Sequence, residues 1–129
     1  KTANQSESES VKQHEVTKIG AMRQVFLADT DEQALKIAEP AYRDWFQSIT
    51  ELWHRNNDSS FDDFFAWEPC LANETILIGS TSTVREKIQQ LVEESGINYF
   101  VGSFAWGSLS FDQSRESLRR FASEVIPTI

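Results

Sequence analysis

Few side chains in this sequence could do chemistry by themselves. Its two histidines are His14 and His54, and its one cysteine is Cys70. His14 stands in a polar leader, and His54 closes an apolar-periodic run, where a positive charge would suit a helix C-terminus. Neither has cysteine, histidine or carboxylate neighbours at metal-ligand spacing, so no metal site is expected. Nothing near Cys70 in sequence would lower its pKa, which predicts an inert buried or loop thiol. Asp62, Asp63 and Glu68 could form an acidic patch, although charged loop residues are ordinarily just solvated. The stretch GSFAWGS, residues 102–108, has the glycine spacing of a phosphate-binding loop. It lacks the lysine that should follow the second glycine, so nucleoside-triphosphate binding is not expected. No G-x-S-x-G elbow signals a hydrolase nucleophile. What remains is an aromatic loop, with Trp106 standing two residues past an apolar run.

The elements that must position this loop read as alternating strands and helices. Residues 1–15 are almost wholly polar and are expected to form a mobile leader; residues 16–129 carry the folded part. A strand is expected over Val16–Ala28. Thr30 and Gln33 then have capping-box spacing, and Ala34, Ile37, Ala38, Ala41, Trp45, Ile49 and Leu52 fall on one helical stripe. Pro40 should kink or split that helix. After a polar turn, FDDFFAW predicts a short helix. TILIG is a brief strand, followed by a helix with Val84, Ile88, Leu91 and Val92 on one face and Gly96 placed to end it. Ile97–Phe104 reads as a buried strand. Ser110 and Gln113 open a last helix expected to turn Leu118, Phe121, Ala122 and Val125 inward. The order βα, loop, βα, βα signals parallel strands in right-handed βαβ units. Residues 97–103 should pair parallel with another strand, and the helices over 83–94 and 111–125 should cover one face. Three units fall short of a closed eight-fold barrel of about 250 residues.

Composition narrows the function classes. With 129 residues, 40% of them hydrophobic, the chain can bury one modest core. Its net charge of −8 repels nucleic acid and anionic membranes, so partners of those kinds are not expected. No apolar run approaches the length of a membrane span, and one cysteine permits no internal disulfide, so a cytoplasmic location is expected. The chain opens on Lys1 and its single methionine is Met22, so the natural start is expected elsewhere.

From Ile76 to Pro127 the tail resembles the C-terminal region of the luciferase-like flavin-dependent monooxygenases. The resemblance rests on an ordered set: Gly79, Ser80 and Val84; Gly96 and Ile97; then Phe121, Glu124, Val125, Ile126 and Pro127. Thr81 stands where the family usually has proline. Upstream, MRQVFLADTDEQALKIAEPAYRDWF is similar to the preceding strand and helix, so the likeness covers residues 17–127. It implies the C-terminal portion of a (β/α)8 TIM barrel, about three βα units, from an enzyme using reduced FMN or a deazaflavin with dioxygen on an organic substrate. The family's catalytic histidines and most of its flavin-phosphate contacts belong to earlier strands, so no catalytic residue carries over. Phe104, Trp106 and Gly107 would line the pocket wall or touch the cofactor; alternatively the aromatics plug the core. The chain alone is expected to be inactive and to bind no flavin tightly. It is expected to self-associate or to pair with a companion N-terminal fragment. The competing reading is a non-catalytic α/β interaction module that pairs through open sheet edges.

Overall fold

The computed structural model describes residues 17–129, so the polar leader with His14, and Val16, lie outside the described residues. Three strands and five helices follow: β1 (Gly20–Leu27), α1 (Asp31–Arg55), α2 (Asp62–Phe65), α3 (Trp67–Ala72), β2 (Ile76–Gly79), α4 (Thr81–Ser95), β3 (Tyr99–Ser103) and α5 (Phe111–Arg120). The last helix continues through a π-helical turn, Phe121–Val125, and a 3-10 turn, Ile126–Thr128.

The strands form one parallel sheet in the order β2–β1–β3. Residues 99–103 pair parallel with Gly20–Gln24, as the βαβ reading expected, while β2 pairs with the other edge of β1 over Gln24–Leu27. The first strand is therefore central, and the chain crosses it on the way from β2 to β3. Two crossovers of the same hand that run in opposite directions place their helices on opposite faces. On one face Phe26, Ala28, Ile76 and Ile78 pack with Ala34, Ala38, Ala41 and Tyr42 of α1 and with Trp67 and Cys70 of α3. On the other, Val25, Leu27 and Leu77 pack with Val84 and Ile88 of α4 and with Phe121 and Val125. Helices α4 and α5 do cover one face together; α1 and α3 cover the C-terminal half of the other. A barrel is not what these three strands close by themselves.

Local sequence explains most of the boundaries. The Thr30 hydroxyl accepts the Gln33 N–H, Ser80 accepts that of Thr83, and Ser110 and Gln113 form a complete capping box. Gly96 ends α4 at φ 67°, the left-handed value a glycine takes without penalty.

Several expectations are corrected. Helix α1 is not split at Pro40. Pro40 and Lys36, whose carbonyl it leaves without an N–H, both lie on the exposed side, where solvent can take the place of the lost bond. Ile49 and Leu52 are exposed rather than core, because the 25-residue helix outruns the sheet. The last strand is an edge strand rather than a buried one, with Tyr99 50% and Val101 43% exposed. In α5 and the π turn the inward stripe is Ser117, Phe121 and Val125, while Leu118 and Ala122 face solvent. The buried positions follow a four-residue step, on which Ser117 rather than Leu118 meets β1.

Candidate functional site

The parity of β3 separates the candidate residues. Phe100, Gly102 and Phe104 point toward α4 and α5: the Phe104 ring lies 5.0 Å from Phe121, and a Cβ on Gly102 would meet the Phe104 ring at 2.7 Å. Trp106 lies on the opposite face, 6% exposed, edge-on to Tyr42 with 6.1 Å between ring centroids. Its indole N–H donates to the Ser103 carbonyl at 3.1 Å. Gly107, at φ 60°, presses against helix α1, where a Cβ would stand 1.9 Å from the Ala41 carbonyl oxygen. Its lack of a side chain is thus spent on a close approach of loop to helix. Trp106 and Gly107 come together, and Phe104 is across the sheet from both.

Trp106 and Gly107 border a cavity of about 750 Å³ between the sheet face and α1. Buried Tyr42, Cys70, Ile76 and Trp106 make its floor, and Met22, Ile49 and Phe64 stand exposed at its mouth. Tyr42 and Trp45 lie 5.1 Å apart by ring centroids, and Phe65 meets Trp45 edge-on at 5.8 Å. Among the described residues no Asp, Glu, His, Lys or Arg lines the cavity. The Tyr42 hydroxyl donates to the Phe65 carbonyl at 2.7 Å, and burial pushes its pKa far above the ordinary phenol value. Cys70 is buried and donates to the Phe64 carbonyl at 3.3 Å, as suits an inert thiol. The described lining can therefore hold and orient a molecule through apolar and neutral polar groups.

Sequence reading missed Gln24, Tyr42, Trp45 and Ser103. Gln24 was the one with a signal, an amide interrupting the apolar strand VFLA from its N-terminal side.

Charged groups lie elsewhere, and several of them are paired. His54 Nε2 lies 2.6 Å from Asp62 Oδ1, and Glu68 meets Arg43 at 2.9 Å. At the C-terminal ends of the strands a shallow cleft of about 260 Å³ holds Asp29, Asp112, Glu116 and Arg120. Arg120 there donates to Asp29 and also faces Glu116 at 3.3 Å, off the axis of its Nε–H, which has no directed hydrogen bond. The Arg119 guanidinium, hydrogen-bonded to Glu116, brings that carboxyl down to about 2. Among the described residues no group of three or more His, Cys, Asp or Glu side chains could hold a metal ion, and no helix is long and apolar enough to cross a membrane.

With this geometry in hand, comparison with known proteins places the fold. No protein-family model matches the chain. The uncharacterized protein y4wF of Sinorhizobium fredii is 22% identical over 112 residues, which is 86% of this chain and 33% of that protein. Among solved structures, the monooxygenase RslO1 of Streptomyces bottropensis aligns with a TM-score of 0.62 at 20% identity, over 84% of this chain and 30% of its own. The oxygenating constituent of 3,6-diketocamphane monooxygenase from Pseudomonas putida, a type II Baeyer–Villiger monooxygenase in complex with FMN, aligns with a TM-score of 0.62 at 26% identity, over 85% of this chain and 33% of its own. The chain thus has the α/β fold of part of these monooxygenases and spans about a third of their length.

Proposed function

We propose that this chain is the C-terminal part of a luciferase-like, flavin-dependent monooxygenase that acts with reduced FMN or a deazaflavin and dioxygen on an organic substrate. The observation that carries the reading is the likeness to two monooxygenases, one of them in complex with FMN, over more than four-fifths of this chain. In this reading β1 and β3 are neighbouring barrel strands, β2 is a short strand added beside the C-terminal end of β1, and α4 and α5 are helices of the outer ring. The half of the inner face that α1 leaves bare supports it: Met22 is 60%, Tyr99 50% and Val101 43% exposed, which is surface that a completed barrel would bury. A barrel interior is filled by side chains and has no room for a helix, so α1 belongs over the mouth.

The cofactor's fit can be judged from the cavity. Tyr42, Trp45 and Trp106 offer aromatic walls to a flat ring, but among the described residues the lining has no cation for a phosphate. The residues of this chain therefore do not fit the whole group, and no reaction step is assigned to them. Trp106 and Gly107 stand as wall residues, and Phe104 as packing beneath them.

Joined to a companion of about 200 residues, the size of the missing barrel, the chain should take up oxygen in a flavin-dependent way, and alone it should not. Uptake by the chain alone, or none by the joined protein when it is folded and flavin-bound, would reject this reading. The same bare half-face favours a second one, a module that pairs with another chain through β3. Light scattering and flavin binding on the isolated chain separate the two, since the module would pair stably and never need flavin.

A further inference from the structure

We infer that two copies of this chain pair edge to edge through β3, antiparallel about a two-fold axis at Val101, so that their three-stranded sheets become one. The inference goes beyond the reading above and does not need it, because it concerns the edge that this chain presents by itself.

The backbone sets the first condition. Among the described residues β3 has a neighbouring strand on one side only. In β1 the Leu27 N–H turns to Ser117, while the next one, that of Ala28, turns the other way and donates to the Gly79 carbonyl at 3.2 Å. Backbone groups alternate along a strand, and parallel neighbours in register keep the same phase. Tyr99, Val101 and Ser103 therefore bond to β1, and the N–H and C=O groups of Phe100 and Gly102 face the free edge. In an antiparallel pair centred on Val101, Phe100 of each copy exchanges both bonds with Gly102 of the other.

The side chains fit that register. Each Phe100 stands opposite a residue with no side chain, and the Phe104 ring that lies over Gly102 gives it an aromatic neighbour. On the other face Tyr99 meets Ser103, and Val101, 43% exposed, meets its own copy. Residues 96–111 contain no charged residue and no proline, so the edge lacks the usual guards against pairing. Two chains of net charge −8 can thus meet there without like charges face to face. A strand of five residues offers each partner less than the ~800 Å² of a standard interface, so the dimer is a weak one.

Sedimentation equilibrium of the full chain over roughly 1–300 μM should show monomer passing to dimer. Val101→Lys sets two like charges at the axis and should weaken the dimer at least about ten-fold, with circular dichroism unchanged. Mild oxidation reads the register. Val101→Cys, at a non-hydrogen-bonded pair with Cα atoms about 4.5 Å apart, should form an intermolecular disulfide, and Tyr99→Cys, opposite Ser103, should not. If Val101→Lys does not fold, the two cysteine variants carry the test. A monomer at every concentration, a dimer that folded Val101→Lys leaves unchanged, or equal crosslinking of Val101→Cys and Tyr99→Cys would overturn the inference. So would a dimer that forms only after residues 1–15 are removed, which would assign the edge to the leader. A monomeric chain with flavin bound by the joined protein removes only the dimer; a dimer with no flavin uptake by the joined protein removes only the monooxygenase reading.

Discussion

The Asp31 carboxylate accepts the Ser80 N–H at 2.8 Å and the Thr83 hydroxyl at 3.0 Å, joining the starts of α1 and α4 across 49 residues of chain. Gly79 makes the joint possible, since a Cβ there would meet Asp31 Oδ1 at 2.8 Å. Two motifs that read as separate in the sequence, A-D-T-D at 28–31 and G-S-T at 79–81, are therefore one structural unit at the C-terminal ends of β1 and β2.

Those hydrogen bonds, the Ser80 N–H first, hold the Asp31 carboxyl below its usual range. A depressed folded-state pKa contributes stability that is complete above the unfolded value of about 3.9 and is lost as pH falls through the folded value. Asp31→Ala should cost ~1 kcal/mol near neutrality, a figure kept small because the group is exposed. Urea midpoints of the two proteins should converge as pH falls through the folded value; a gap independent of pH would show that the carboxylate charge is not involved.

Ser117 is fully buried, and its hydroxyl accepts the Leu27 N–H at 3.0 Å where β1 has run past its pairing with β3. Ser117→Ala orphans that N–H and should cost about 1–3 kcal/mol. Leu118→Ala, at a half-exposed position, should cost under about 1 kcal/mol. Denaturant unfolding of the pair checks the order, and the reverse order would restore the inward stripe expected from periodicity.

Gly107→Ala adds a Cβ onto the Ala41 carbonyl at a positive φ and should cost at least ~2 kcal/mol. Gly96→Ala, also at positive φ but with nothing within 4 Å of the added Cβ, should cost about 1 kcal/mol. Thermal unfolding distinguishes them; equal losses would mean that the loop-to-helix contact yields easily.

Trp106 is a core residue whose edge borders the cavity, so Trp106→Ala should lose stability by about 3–5 kcal/mol. Trp106→Phe keeps ring packing against Tyr42 and gives up the bond to the Ser103 carbonyl, with a loss of about 1 kcal/mol. Calorimetry on the two variants checks this. A near-neutral Trp106→Ala would remove the residue from the core and leave only its place in the cavity wall.

How far the sequence carries can be read from particular residues. Thr30 with Gln33, Ser110 with Gln113, and Gly96 marked helix ends that the structure keeps, because capping chemistry is local. The parallel pairing of β3 followed from the βα alternation, though not the identity of its partner. The central place of β1 did not, since sheet order depends on crossovers between distant segments. Periodicity put Leu118 inward because three- and four-residue steps back from Phe121 are both allowed, and the buried Ser117 hydroxyl on the Leu27 N–H takes the four-residue one. Glycine flanks grouped Phe104 with Trp106, yet two-residue alternation continued from Phe100 and Gly102 already assigns Phe104 to the other face. The pairing of Gln24 with Ser103 needed strand register, which no local signal supplies.

The most direct measurement on the monooxygenase reading is equilibrium binding of reduced FMN, under anaerobic conditions, to the chain alone and to the chain joined with a companion of about 200 residues. One flavin per joined protein is expected, with no saturable binding to the chain alone. A folded joined protein that binds neither reduced FMN nor a deazaflavin would contradict it, and would leave the open face of Met22, Tyr99 and Val101 as a surface for pairing with another chain.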